Sequence, residues 1–255
     1  MDASAIALPP RPISAQELAT LSVTQWQAVL AAEPQDAAAW MQAAAQLGHA
    51  EAQAVLGQWL LDGHGQARDA AQALHWFLRA AHLGHTMAMN MAGRCHEQGW
   101  GTAQDFDKAA HWYRQALPMP QAQYNLANLL AAGQGVARDH GKAFALYQQA
   151  ADQGYAKAFA KLGRYHEDGL VVARDADAAF DCYRRGAEGG DFRGQFSYAG
   201  MLAAQGRSDE ALLWLAKVPL TATPRYLQQA GEVLLQSPDA RVRAIGEQML
   251  ARASA

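Results

Sequence analysis

Gly63-His64-Gly65-Gln66-Ala67-Arg68-Asp69-Ala70-Ala71-Gln72-Ala73-Leu74-His75-Trp76-Phe77-Leu78-Arg79-Ala80-Ala81-His82-Leu83-Gly84 is the stretch whose reading decides the fold. It opens on a Gly-x-Gly loop, where glycine reaches backbone angles closed to other residues. Asp69 stands where an N-cap belongs, its carboxylate able to accept from the free N–H groups of the next turn. Asp69-Ala70-Ala71-Gln72 has the capping-box form. Ala73, Trp76, Phe77 and Ala80 then fall at i, i+3, i+4 and i+7, the apolar stripe of a helix. Ala80-Ala81-His82-Leu83-Gly84 closes it with another glycine.

The same marks recur outward in both directions. Trp40, Trp76 and Trp112 are each 36 positions apart, with Leu146, Cys182 and Trp214 as their successors. The aromatic beside them returns as Phe77, Tyr113, Tyr147 and Tyr183, and the cap as Asp69, Asp105, Asp139 and Asp175. Ala73, Ala109, Ala143 and Ala179 keep step. Gly99-Trp100-Gly101 and Gly133-Gln134-Gly135 repeat the loop. A first helix precedes each loop; the one from Met87 to Gln98 ends at Gly99, a C-terminal cap. Each unit is therefore a helix pair, and one pair cannot bury its apolar face alone, so pairs must stack. The expected fold is all-α: a right-handed superhelical solenoid of stacked antiparallel helix pairs. The tryptophans are assigned to packing between layers and not to cofactor stacking.

Boundaries follow from the period. Residues 1–35 hold an N-terminal segment and a capping helix around Trp26, set at 14–32. The solenoid spans 36–217, as a half repeat 36–49 and units of about 50–84, 85–118, 119–154, 155–190 and 191–217. Residues 218–255 supply capping helices, about Pro224 to Gln236 and Pro238 to Arg252. The connection around Pro118 and Pro120 is two residues shorter than its counterparts, which predicts a change of curvature there.

Composition fits a globular helical chain. Among 255 residues 51% are hydrophobic and 18% charged, with nine prolines and a net charge of −3. The mixed charges point away from nucleic acid, and no run approaches the ~18 apolar residues of a membrane span. The first ten residues lack the positive start and long apolar run of a secretory signal. With only Cys95 and Cys182, no disulfide framework is expected, and a reduced cytoplasmic setting is the simplest reading.

Candidate chemistry is sparse. His82 and His85, with His75, form the tightest histidine group, but zinc needs three or four converging ligands. His85 repeats His49 and His75 repeats His111, so a shared structural position is the simpler account and no metal is expected. His96 and His166 are likewise repeat equivalents near the end of a first helix. A Cys95–His166 nucleophile pair, or one of Cys182 with a histidine, rests on proximity that sequence does not give. Gly194-Gln195-Phe196-Ser197-Tyr198-Ala199-Gly200 has the wrong spacing for a nucleophile elbow. The Gly-x-Gly turns follow helices and not strands, unlike phosphate-binding loops. No catalytic residue and no cofactor is assigned.

The motif set resembles the Sel-1-like repeat family, relatives of the tetratricopeptide repeat. Leu56-Gly57 and Leu162-Gly163 match its first-helix pair; Ala80-Ala81-His82-Leu83-Gly84 and Ala150-Ala151-Asp152-Gln153-Gly154 match its exit. The resemblance covers about residues 36 to 217. Departures are Ala92-Gly93, Leu126-Ala127 and Tyr198-Ala199 for Leu-Gly, Val171 for the second turn glycine, and the shortened loop Gly206-Arg207-Ser208-Asp209. The resemblance implies a concave groove lined by the first helices, with Asn90, Arg94, Tyr124, Asn128, Lys157, Arg164, Arg193 and Phe196 as its candidate peptide-binding residues. That row reads either as a solvated helix face or as a groove for a protein or extended peptide partner, acidic or held by its C-terminal carboxylate. The preferred function is thus a non-enzymatic protein-binding scaffold. Two alternatives stay open. One is a hydrolase-like or β-lactam-binding enzyme, as linked to some disulfide-rich secreted family members; the other is a structural subunit assembling through its end caps.

Overall fold

The computed structural model describes residues 21–254, and among these every regular element is a helix. In chain order they are α1 (Val23–Leu30), α2 (Pro34–Gln46), α3 (Ala50–Asp62), α4 (Ala70–His82), α5 (Thr86–Gln98), α6 (Phe106–Gln115), α7 (Pro120–Ala132), α8 (His140–Asp152), α9 (Ala156–Asp168), α10 (Ala176–Glu188), α11 (Phe192–Ala204), α12 (Ser208–Leu215), α13 (Val218–Thr221), α14 (Pro224–Leu234) and α15 (Ala240–Ala253). Residues 14–20 of the expected first helix lie outside the described part. None of the described helices is long and apolar enough to cross a membrane.

The repeating caps set where each helix starts and stops. Asp69, Asp105, Asp139 and Asp175 are all N-caps, and each accepts a backbone N–H three residues on at 2.9 Å. At Asp69 only that half of the expected box forms; Ser22 and Gln25 make the reciprocal pair instead. The exits at Gly48, Gly84, Gly154 and Gly190 are Schellman caps, while α6 ends without one. In the first of the full units the His85 N–H reaches the Ala80 carbonyl at 3.1 Å and the Gly84 N–H reaches Ala81 at 2.9 Å. Gly84 carries the positive φ of 87° that this closure requires.

Two compact units are present. In the first (residues 21–122 of the described part, with 133–137), α2 to α6 pack consecutively around Trp40, Leu56, Trp76, Phe77, Met91 and Cys95. Loop glycines allow close approach here: a Cβ on Gly101 would lie 2.1 Å from the Ala70 carbonyl oxygen. In the second (123–132 and 138 onward), α8 to α12 pack consecutively and α14 pairs with α15. Its core holds Tyr183, Phe192, Tyr198, Leu202, Leu227 and Met249. Val171 takes the loop-glycine position there at φ 75°, largely exposed.

The assignment of the whole tryptophan series to the core needs correction. Trp40 and Trp76 are buried, but Trp112 is half-buried and meets His82 edge-on, ring centroids 5.5 Å apart. The neighbouring aromatic is the constant core member. Phe77, Tyr113, Tyr147 and Tyr183 are each at most 2% exposed. Period alone ranks two adjacent aromatics equally; the glycine or alanine opposite decides which ring is enclosed.

Candidate functional site

In the second unit α9 and α11, first helices of successive repeats, pack against each other and gather an unusual set of polar groups. Asp191 caps α11. Its Oδ2 accepts the Gly194 N–H at 2.9 Å, while the buried Oδ1 has no hydrogen-bond partner. Burial pushes the Asp191 carboxyl above its ordinary range, opposed by the Gly194 N–H and the charges of Arg193 and Lys157. Half-buried Lys161 lies in the same field, its pKa lowered by burial and by the Arg193 charge, with Asp191 acting the other way. Arg193 is exposed and sits over the rings of Phe192 (4.4 Å) and Tyr226 (5.5 Å). Burial raises the Tyr226 hydroxyl to about 12.

The candidate groove residues divide by position. Lys157, Arg164 and Arg193 are exposed; Tyr124 is buried and Phe196 half-buried. Arg164 is tied to Asp168 at 2.8 Å. Asn128 accepts the Tyr147 hydroxyl at 2.8 Å, and Tyr124 packs against Tyr147 and Tyr155 with centroids 5.7 and 5.3 Å away. Burial raises the Tyr124 hydroxyl, with the Arg193 charge and a hydrogen bond to the Asn128 side chain acting the other way. Phe196 meets the Tyr226 ring edge-on at 6.0 Å. Aromatic rings thus floor this face and cations rim it. Lys157, Lys161 and Arg193 have no carboxylate within ion-pair distance among the described residues.

Asn90 and Arg94 belong to the first unit. Asn90 is buried, and the exposed Arg94 guanidinium lies 5.0 Å from the Trp100 ring centroid. With Gln58, Asp62, Arg68 and Met91, Arg94 and Trp100 border an open cleft of about 360 Å³.

Sequence reading missed Lys161, Asp191 and Tyr226. A signal for Lys161 was present: the repeat column Val55, Met91, Asn125, Lys161, Ser197 contains one charge. Asp191 shares the entry column of His49, His85 and Tyr155. Tyr226 lies outside the repeats and no spacing links it to them.

The histidines are engaged elsewhere. His82 Nδ1 is 2.6 Å from the Leu78 carbonyl, while His85 Nδ1 accepts the Ala88 N–H and its Nε2 meets Glu51 at 2.7 Å. Among the described residues no three His, Cys, Asp or Glu side chains could hold a metal ion. Burial pushes both thiols up to about 11, so Cys95 and Cys182 are protonated at neutral pH and are poor nucleophiles.

The family model described as Sel1 repeat matches residues 30–49, 50–85, 86–117, 120–155 and 156–191. A Sel1 repeat protein from Oxalobacter formigenes superimposes with a TM-score of 0.76 at 24% identity, over 91% of this chain and 100% of that one. A protective antigen of uropathogenic Escherichia coli with an SLR fold gives 0.64 at 25% identity over 87% of this chain. This chain spans 49% of that antigen. An immunity protein from Pseudomonas aeruginosa gives 0.54 at 16% identity, over 80% of this chain and 81% of its own. No curated protein matches. The five matched repeats cover the helix pairs whose caps and turns are described above, and the chain belongs to the Sel1 repeat family.

Proposed function

We propose that this chain is a non-enzymatic scaffold that binds a partner protein through an extended peptide on the α9–α11 face. It holds an acidic side chain or the C-terminal carboxylate. The family's common use as a protein-interaction scaffold gives the class. The observation that carries the finer reading is the trio Lys157, Lys161 and Arg193, three cations on one face without an ion-pair partner among the described residues. A peptide carboxylate supplies what they lack, and Arg193 is pre-positioned by the rings beneath it. The proposed setting is the cytoplasm, in keeping with two free thiols.

The test is an array of synthetic heptapeptides, with free or amidated C-termini, probed with the labelled full chain. Hits are re-measured by calorimetry in low and high salt. Acidic or free-terminus peptides should dominate and weaken with salt. The Lys161→Ala, Arg193→Ala double variant should lose roughly tenfold or more, since hydrogen bonds to charged groups are worth about 1.5–3 kcal/mol. Neutral hits with salt-independent affinity reject the reading.

A second reading, assembly through the C-terminal cap, draws on Leu213 and Leu220, 68% and 66% exposed. Sedimentation of the Leu213→Glu, Leu220→Glu variant beside the parent protein tests it; a monomer in both dismisses it.

A further inference from the structure

Arg193, Phe196, Gly200 and Ala203 occupy one stripe along α11, since their spacings of three, four and three residues keep them on one side of a helix. Arg193 marks the charged end. The other end opens into a cavity of about 470 Å³, walled by Phe196, Gly200, Ala203, Leu215, Val233 and Val242. Most of that wall is apolar. Val233 at its mouth is 62% exposed, although it is a large aliphatic residue. Phe196 belongs to both ends: it lines the cavity and touches Tyr226, the ring over which Arg193 lies. Gly200 leaves the side of the cavity open, with no atom within 4 Å of where its Cβ would stand.

We propose that this cavity is the specificity pocket of the peptide-binding face, and that it takes one bulky aliphatic or aromatic side chain lying about three positions from the partner's acidic group. The inference rests on the reading of α9–α11 as a peptide-binding face. Charge complementarity fixes the acidic end at Arg193, with Lys157 and Lys161 beside it. The spacing follows from geometry. Seven residues of helix separate Arg193 from Gly200, about 10 Å at 1.5 Å per residue. An extended peptide advances about 3.3 Å per residue and covers that distance in three. A cavity of this size is ample for a leucine or phenylalanine side chain, and burying one side chain of that kind contributes about 1.5–3 kcal/mol to binding, a factor of roughly ten to a hundred and fifty. Acid–x–x–apolar is therefore the recognised pattern, and the pocket discriminates by size where the cations discriminate by charge.

Gly200 gives a clean test. Leucine there meets open space, removes a helix-interior glycine, and fills the cavity from inside. The probes are fluorescein-labelled nine-residue Gly/Ser peptides carrying an Asp pair with leucine three positions beyond it. Companions replace the leucine by alanine, replace the Asp pair by asparagine, or move the leucine to seven positions. Anisotropy with the full chain should show the first peptide tighter than the alanine and seven-position peptides by roughly tenfold or more. In Gly200→Leu that preference should vanish while the demand for aspartate persists, with a thermal midpoint no lower than the parent's. Arg193→Ala should do the reverse, keeping the leucine preference and losing the aspartate one. Aspartate-dependent binding indifferent to leucine overturns the pocket and leaves the peptide-binding reading standing. Binding by none of the aspartate peptides, each made with a free C-terminus, overturns both.

Discussion

Gly163 lies directly beneath the ring of Tyr183. A Cβ built on the glycine would stand 2.6 Å from Tyr183 Cε1, far inside contact distance. The same relation joins Gly93 to Tyr113, and Gly57 to Phe77 at 2.8 Å. The family's Leu-Gly pair is thus a packing device, in which the glycine on the first helix is the seat for the aromatic of the second. The tyrosine hydroxyl then reaches past the seat to a carboxylate on the first helix; Tyr183 donates to Glu167 at 2.7 Å.

Gly163→Ala should therefore destabilise the protein even though alanine favours helix over glycine by about 1 kcal/mol. Overpacking against a fully enclosed ring costs roughly 1–3 kcal/mol, which leaves a net loss of up to about 2 kcal/mol. Gly200→Ala, where a methyl meets open space, should stabilise by about 0.5–1 kcal/mol. Urea melts on the two variants make the comparison. Equal effects would mean that the seat has no special role.

These relations explain what the sequence discloses. Caps are local: Asp105 and Lys108 are three residues apart, and their bond follows from the backbone of one helix turn. Repeat identity extends the same inference to four loops, so helices and their ends were legible to within a few residues. The face was legible in part, because Arg193 shares a repeat column with the exposed Glu51, Met87 and Lys157. Lys161 showed only as the one charge in its repeat column and Asp191 not at all, because their meaning depends on burial created by α9 packing on α11. Tyr226 comes from the C-terminal cap, where no period applies. Trp112 was misjudged because its burial depends on the ends of neighbouring helices and not on its own stripe.

Val171 stands at φ 75° where three other loops have glycine. A left-handed backbone costs a β-branched residue roughly 1–2 kcal/mol. Val171→Gly should recover part of this, about 0.5–1.5 kcal/mol after the added unfolded-state entropy of glycine. The converse change, Gly101→Val, should abolish folding of the first unit, since its Cβ would overlap the Ala70 carbonyl. Thermal midpoints of the purified variants decide both. A neutral Gly101→Val would show that the loop can stand away from α4.

His96 is buried with no partner at Nδ1, and burial lowers its pKa from 6.5, with the Lys108 charge adding to the effect. The unfolded chain therefore binds a proton that the folded chain refuses in the window from 6.5 down to the depressed value. Stability contributed by neutral His96 is complete above pH 6.5 and is lost as pH falls through the folded pKa. Urea midpoints taken between pH 7.5 and 5 should decline, and less steeply in His96→Leu. Parallel curves would remove His96 as the source.

Asp191→Asn separates two roles that the carboxylate plays in the α9–α11 face. As a cap, asparagine serves about as well as aspartate, because its side-chain oxygen can accept the same Gly194 N–H. As a charge, Asp191 is a liability: burial raises its folded pKa above 3.8, so ionisation disfavours the folded state. The sign is opposite to that of a paired surface carboxylate. Stability from the protonated group is present below pH 3.8 and is lost as pH rises through the raised folded value. Removing the charge should leave stability at pH 7 unchanged or higher than in the parent, and should erase the parent's decline across that window. The same change withdraws the negative neighbour that offsets Lys157, Lys161 and Arg193, so the face becomes more positive. Acidic peptides should then bind Asp191→Asn more tightly, with a steeper dependence on salt. Urea melts at pH 4, 5 and 7, together with anisotropy of one aspartate peptide in low and high salt, read both effects at once. A large loss of stability at every pH would mean that the ionised carboxylate is matched by Lys161 in solution, and weaker peptide binding would place Asp191 among the groups that hold the ligand.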